Sequence, residues 1–187
     1  MFVPLNHLRK ILKIDETSMT GLRWRKIKND KLGWNKRYAG KKAGSLKRSG
    51  KGVPSYKITI TFNGVSKIYI AHRIIYYIYH GQLNPKKVID HKNNNPLDNR
   101  IKNLRECTHS ENCLNRRISR NNKVGAKNIS KLKNGMYNVV FYKNGKIIFT
   151  KKFSNKKIAK SVAAKKRKKY HGFFANNKKC SIEISKK

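Results

Sequence analysis

The chain has 187 residues, with 47 Lys+Arg against 8 Asp+Glu and a formal net charge of +39. Self-repulsion at that charge opposes folding alone and points to a polyanionic partner. Hydrophobics at 37% and aromatics at 10% exclude a basic disordered tail, and no apolar run approaches the length that spans a bilayer.

The N-terminal sequence lacks the charge–apolar–cleavage order of a signal peptide, so a cytoplasmic protein is expected. Cys107, Cys113 and Cys180 form no C-x-x-C pair, which argues for reduced thiols over a disulfide framework or a thiolate zinc site. The acids are unevenly spread. Asp90, Asp98, Glu106 and Glu111 share one stretch, and no acid follows until Glu183. An acidic island in a basic chain suits a hard cation, which needs oxygen ligands.

In chain order, residues 1–66 read as a β-rich basic flank. Trp24 and Trp34 are candidate anchors for small strands. Tyr56–Phe62 alternates with period two, ends at Asn63-Gly64 and is followed by Val65–Ile70, which predicts a hairpin. Residues 71–81 (AHRIIYYIYHG) predict a short, largely buried helix ended by Gly81. Lys87–Asp90 predicts a strand, His91–Arg100 a polar loop and Ile101–Cys107 a second strand. Thr108-His109-Ser110-Glu111 has the form of a capping box, so a helix is expected from there to about Ser119. Residues 120–124 read as a linker.

Beyond it, Gly125–Leu132, Met136–Tyr142 and Lys146–Phe153 are separated by linkers holding Asn134-Gly135 and Asn144-Gly145, which predicts a three-stranded meander. Ser154 or Asn155 can cap a following helix. Its Ile158, Ala159, Val162, Ala163 and Tyr170 recur at helical spacing. Gly172 ends it, and residues 176–187 read as a basic tail. The expected domains are thus 1–66, 67–119 and 125–175, in an α+β chain.

Asp90-His91 closes a strand at the mouth of the polar loop, and Asn112 falls early in the helix predicted after it. If that helix packs back on the two strands, Asp90, His91 and Asn112 can meet at its N-terminal end. Such side chains suit phosphodiester hydrolysis. A neutral imidazole can take a proton from water near pH 7. A carboxylate with an amide oxygen suits Mg²⁺ or Mn²⁺, which stabilises the leaving oxygen. Arg116, four residues after Asn112, shares its helix face and is placed to hold a phosphate.

The pieces A-H-R, I-D-H-K-N-N, D-N-R-x-x-N-L-R and H-S-E-N-x-x-N-R-R, from His72 to Arg117, resemble the HNH endonucleases of phages and mobile introns. The resemblance implies a ββα-metal unit with His91 as general base and Asp90 and Asn112 as ligands of one divalent ion. It implies that Asn103 buttresses the loop and orients the base, with Arg116 and Arg117 at phosphates. Arg116 stands where some relatives carry a third metal-binding His, and the paired CxxC zinc clamps of others are absent. The stretch from about Lys123 to Ala175 is similar to the AP2 DNA-binding domain, whose sheet lies in the major groove. Lys131 and Lys133 stand where that family often has Arg, and lysine is the poorer bidentate reader of guanine. Arg167, within the Lys165–Lys169 run, is expected on a phosphate rail. The resemblances together imply a homing-type nuclease acting on double-stranded DNA as a monomer or weak dimer. The rival reading is a non-catalytic DNA-binding protein built on an HNH scaffold.

Overall fold

The computed structural model describes residues 2–31, 33–48, 53–119 and 121–176. Cys180 and all but the first residue of the expected tail lie outside them. The chain divides into two compact units, Met1–His109 and Ser110–Lys187.

The first unit opens with a helix, α1 (Leu5–Ile11), that the periodicity of the flank did not predict. Its start follows Pro4, whose carbonyl accepts from Leu8 N at 3.1 Å, and Leu8 and Ile11 face the core. The helix runs straight into β1 (Leu12–Ile14), which pairs antiparallel with β2 (Leu22–Trp24). A short helix α2 (Trp34–Tyr38) follows, its first amides held by a carboxylate. Asp30 accepts from Trp34 N and Asn35 N, each at 2.6 Å.

Strands β3 (Ser45–Lys47), β4 (Ser55–Phe62) and β5 (Val65–Ile70) form an antiparallel sheet in the order β3-β4-β5. The β4–β5 turn is Asn63-Gly64, both at positive φ (49° and 74°), the conformation a two-residue type I′ hairpin demands. Along β4, Tyr56, Ile58 and Ile60 are buried while Thr59 and Thr61 are exposed, as the alternation predicts.

Helix α3 (Ala71–His80) packs on this sheet through Ala71, Ile74 and Ile75 and stops at Gly81 in the left-handed region. Ile58, Ile60, Ile74 and Ile75 are 1% exposed or less, and each such side chain contributes about 1.5–3 kcal/mol of burial. One hydrophobic cluster joins Leu8, Leu12 and Leu22 of the flank to Ile74, Ile89 and Leu104. The flank therefore has no core of its own, and a boundary at residue 67 is not where the chain divides.

Strands β6 (Val88–His91) and β7 (Leu104–Cys107) pair antiparallel, with Asp90 opposite Arg105 and His91 opposite Leu104. The first three residues of the expected second strand, Ile101–Asn103, instead make a 3₁₀ turn. Asn103 N bonds Arg100 O there at 2.9 Å, closing the turn before the ladder can form.

Helix α4 (His109–Asn115), which from Ser110 on belongs to the second unit, is shorter than the helix expected to reach Ser119. Lys127 Nζ donates to the carbonyls of Leu114 (2.9 Å) and Arg116 (2.5 Å), satisfying the C-terminal oxygens early. Strands β8 (Ile129–Lys131), β9 (Tyr137–Lys143) and β10 (Lys146–Phe153) form the predicted meander, in the order β10-β9-β8. The first strand is only three residues long, because Gly125 (φ 73°) and Asn128 (φ 62°) turn the chain before it.

Helix α5 (Lys156–His171) is capped by Asn155, whose side chain accepts from Lys157 N and Ile158 N. Ala159 and Ala163 bury against Val139 and Phe141. Ile158, expected on that stripe, is 53% exposed: it sits in the first turn, a residue before the buried row begins. Neither Cys107 nor Cys113 is in a disulfide. Among the described residues no helix is long and apolar enough to cross a membrane.

Candidate active site

The end of β6 puts Asp90 and His91 side by side, each 8% exposed. Asp90 stands opposite Arg105 in the ladder, and its Oδ2 accepts from Arg105 Nε at 2.9 Å and lies 2.8 Å from Arg105 Nη2. His91 turns the opposite way, as neighbours on a strand must. Its Nε2 is 3.0 Å from Asn99 Oδ1. Asn99 in turn donates through Nδ2 to Thr20 O at 3.0 Å.

That second bond decides the chemistry of the first. It commits the amide nitrogen of Asn99 to Thr20, so an oxygen faces the imidazole, and the neutral ring must carry its proton on Nε2. The basic nitrogen is then Nδ1. Burial holds the His91 pKa below the ordinary histidine value, against the raising effects of the Asn99 hydrogen bond and of Asp90 and Asp98. The ring of His72, in the first turn of α3, meets His91 edge to face with centroids 4.7 Å apart. Burial, then the charges of His91 and Arg73, push the His72 pKa down to about 3, so it adds no positive charge beside His91 at neutral pH.

Asn103, 8% exposed, holds the loop between the strands. Its Nδ2 donates to Asp98 O (2.7 Å) and Asn93 Oδ1 (3.0 Å), and its Oδ1 accepts from Asn93 N (3.1 Å). Asp98 closes the same loop through Arg100, at 2.6 Å. Asn103 thus bonds both the start and the end of the loop. Asn99, which sequence reasoning passed over although it stands in the quoted D-N-R piece, hydrogen-bonds the imidazole.

The flank, expected to supply only basic charge, carries the backbone end of this arrangement. Thr20 is fully buried, and its hydroxyl lies between Ser18 Oγ (3.2 Å) and Leu22 O (3.1 Å). Gly21, at φ 80°, lets this turn approach. A Cβ there would sit 2.7 Å from Ile75 Cδ1 and 3.3 Å from Asn99 Cβ.

In the second unit, Asn112 lies half-buried on α4, Arg116 is exposed just beyond it and Arg117 is half-buried. Lys131 and Lys133 are exposed. Lys131, however, stands opposite Tyr137, which stands opposite Phe153. Those rings pack on the core, so Lys131 belongs by register to the α5 side of the sheet. The open face instead presents Ser130, Asn138 and Lys152 in one row, with Val140 and Thr150 in the next.

Arg167 is not on a phosphate rail. It is 2% exposed and donates through Nη1 to Lys127 O (2.5 Å) and Asn128 Oδ1 (3.2 Å). It therefore pins the turn that shortens β8.

Among the described residues no three His, Cys, Asp or Glu gather as a metal cluster. Asp90 offers a hard carboxylate, and that donor chemistry fits an ion of the Mg²⁺ kind, which keeps most of its water, better than zinc.

No curated protein matches the chain. A solved structure described as "DNA binding and cleavage by the HNH homing endonuclease I-HmuI" is similar at a TM-score of 0.42 and 18% identity, over 86% of this chain and 81% of that one. Residues 69–114, the segment that holds Asp90, His91, Asn103 and Asn112, match the protein-family model described as HNH endonuclease.

Proposed function

We propose that the chain is a metal-dependent HNH endonuclease that hydrolyses phosphodiester bonds of double-stranded DNA, in a homing-type role. The observation that carries this is the locked His91 imidazole: neutral, with Nε2 committed to Asn99, and so basic at Nδ1. A net charge of +39 supports a polyanionic substrate.

In this reading His91 takes a proton from the attacking water, and Asn99 with Thr20 holds the ring in one tautomer. Asn103 keeps the loop from Asn93 to Asp98 in shape around the base. Asp90 would hold a Mg²⁺ or Mn²⁺ ion, and the family pattern gives Asn112 the same role. Such an ion, when bound, stabilises the leaving 3′ oxygen and polarises the phosphate. Arg116 and Arg117 serve phosphates on this reading, and the open face of the second sheet lies along the duplex in the manner of an AP2 domain.

One observation favours the rival, a DNA-binding scaffold without catalysis: Arg105 engages Oδ2 of Asp90. Supercoiled plasmid and phage or host genomic DNA, incubated with Mg²⁺ or EDTA, separate the two. Wild type should give open circle only with metal. His91→Ala should lose cutting by a factor of 10² or more while binding persists. Strong binding with no cutting on any substrate would leave the scaffold as the reading.

A further inference from the structure

The first unit contains a cavity of about 740 Å³ whose lining residues all precede the HNH segment in sequence, a size typical of small-ligand sites. One wall is aromatic. Trp24 and Trp34 meet edge to face at 5.0 Å, and Tyr38 stacks at a tilt on Trp34 at 4.6 Å. Trp34 is held in place by its Nε1, which donates to Arg25 O at 3.3 Å. Strand β4 lines the cavity along Lys57–Thr61, with Ile58 and Ile60 themselves buried to 1% exposure, and Ile68, 69% exposed, also lines it. Lys10, Lys47, Arg48 and Lys57 also line the cavity, and among the described residues no Asp or Glu does. Gly44 brings β3 onto β4 here: a Cβ at its φ of 91° would lie 2.6 Å from Lys57 O.

The contents of such a space are constrained. A second copy of the chain brings another +39 and is repelled. A metal ion finds no carboxylate among the lining residues. A purely apolar ligand would leave four cationic side chains without a counter-charge. An aromatic wall with a cationic rim matches one chemistry well: a flat base carrying a phosphate. A base inside an intact duplex cannot reach such a wall, since its faces are covered by its neighbours.

We infer that this cavity binds an unpaired base of single-stranded DNA, stacked on the Trp24–Trp34–Tyr38 wall with its phosphates on Lys47, Arg48 and Lys57. The site is separate from the proposed cleavage centre and does not need it.

The two tryptophans of the chain both line the cavity, so intrinsic tryptophan fluorescence reports on it directly. The full-length protein is titrated with oligothymidylate about ten nucleotides long, a blunt duplex of equal length, oligouridylate and inorganic polyphosphate. Anisotropy of labelled strands gives affinity in parallel. Oligothymidylate should quench strongly, and the duplex and polyphosphate should not. Tyr38→Ala should weaken single-strand binding roughly tenfold with duplex affinity unchanged, and Tyr38→Phe should restore it.

Binding of oligothymidylate without quenching overturns the inference, as does equal quenching by duplex or polyphosphate. Tighter binding and stronger quenching by oligouridylate would replace DNA by RNA and overturn it too. The wild-type titration decides these points even if Tyr38→Ala does not fold. A protein that cuts duplex but shows no quenching loses this pocket alone, whereas one that quenches and never cuts loses only the cleavage reading.

Discussion

His91 takes its direction from an amide and a carbonyl that lie far apart in the chain. Thr20 and Asn99 are 79 residues apart, and their bond selects the tautomer that makes Nδ1 the basic nitrogen. Asn99→Ala removes that selection without touching His91. It should lower the cleavage rate on the order of 10- to 100-fold, the usual cost of losing an orienting partner, with duplex affinity unchanged. The ¹⁵N shifts of the His91 ring separate this role from a merely structural one. In wild type they should report one tautomer, and in Asn99→Ala a mixture; one tautomer in both would remove Asn99 from the mechanism. At this scale the strand end that carries Asp90 and His91 and the polar loop beside Asn103 were legible, because strand pairing and turn chemistry act locally. Asn99 and Thr20 were not, because their link exists only after the flank has packed on α3. Arg167 was misread for a different reason. A Lys/Arg run does not say which member faces inward, yet Arg167 follows Ala159 and Ala163 at intervals of four, on the stripe that buries.

The elements that were legible are those fixed by short-range chemistry. Asn63-Gly64 and Asn144-Gly145 both adopt positive φ, so both hairpins form where the dipeptides stand. Asn155 caps α5 as its side chain allows. What was missed depends on distant partners: α1 on a core shared with α3, the end of α4 on Lys127, and the late start of β8 on Arg167. Two turns of the first unit are instead tied by carboxylates, and this gives them a pH signature. The Thr17 hydroxyl, with help from Arg23, holds Asp15 down to about 2. Arg100 does the same for Asp98. A carboxylate whose folded pKa lies below its unfolded value of 3.8 stabilises the fold fully above that value, and the contribution disappears as pH falls through about 2. Thermal melts followed by circular dichroism should therefore show a stability loss concentrated between pH 4 and 2. Asp98→Asn should melt lower than wild type above pH 4 and converge on it near pH 2. A constant gap across the whole range would mean that Asp98 acts through packing and not through its charge.

At the scale of the whole molecule, one quantity, the charge of +39, sets two responses of opposite sign. The free protein repels itself, so added salt should raise its melting temperature by screening. DNA binding driven by counterion release should weaken with salt, with log affinity falling linearly in log salt at about 0.9 per phosphate neutralised. Six to ten contacts would cost roughly 10³ to 10⁵ in affinity between 50 and 200 mM. The slope also tests which face of the second sheet meets DNA. Lys152 shares the open face with Ser130 and Asn138, whereas Arg167 lies inside the unit. Lys152→Gln should flatten the slope by about one while leaving the melting temperature unchanged. Arg167→Gln should instead lower the melting temperature, because Lys127 O and Asn128 lose their donor. If Lys152→Gln leaves the slope untouched, the open face does not carry phosphate contacts. The same set of titrations on Lys131→Gln and Lys133→Gln would then show whether the edge of the sheet carries them instead.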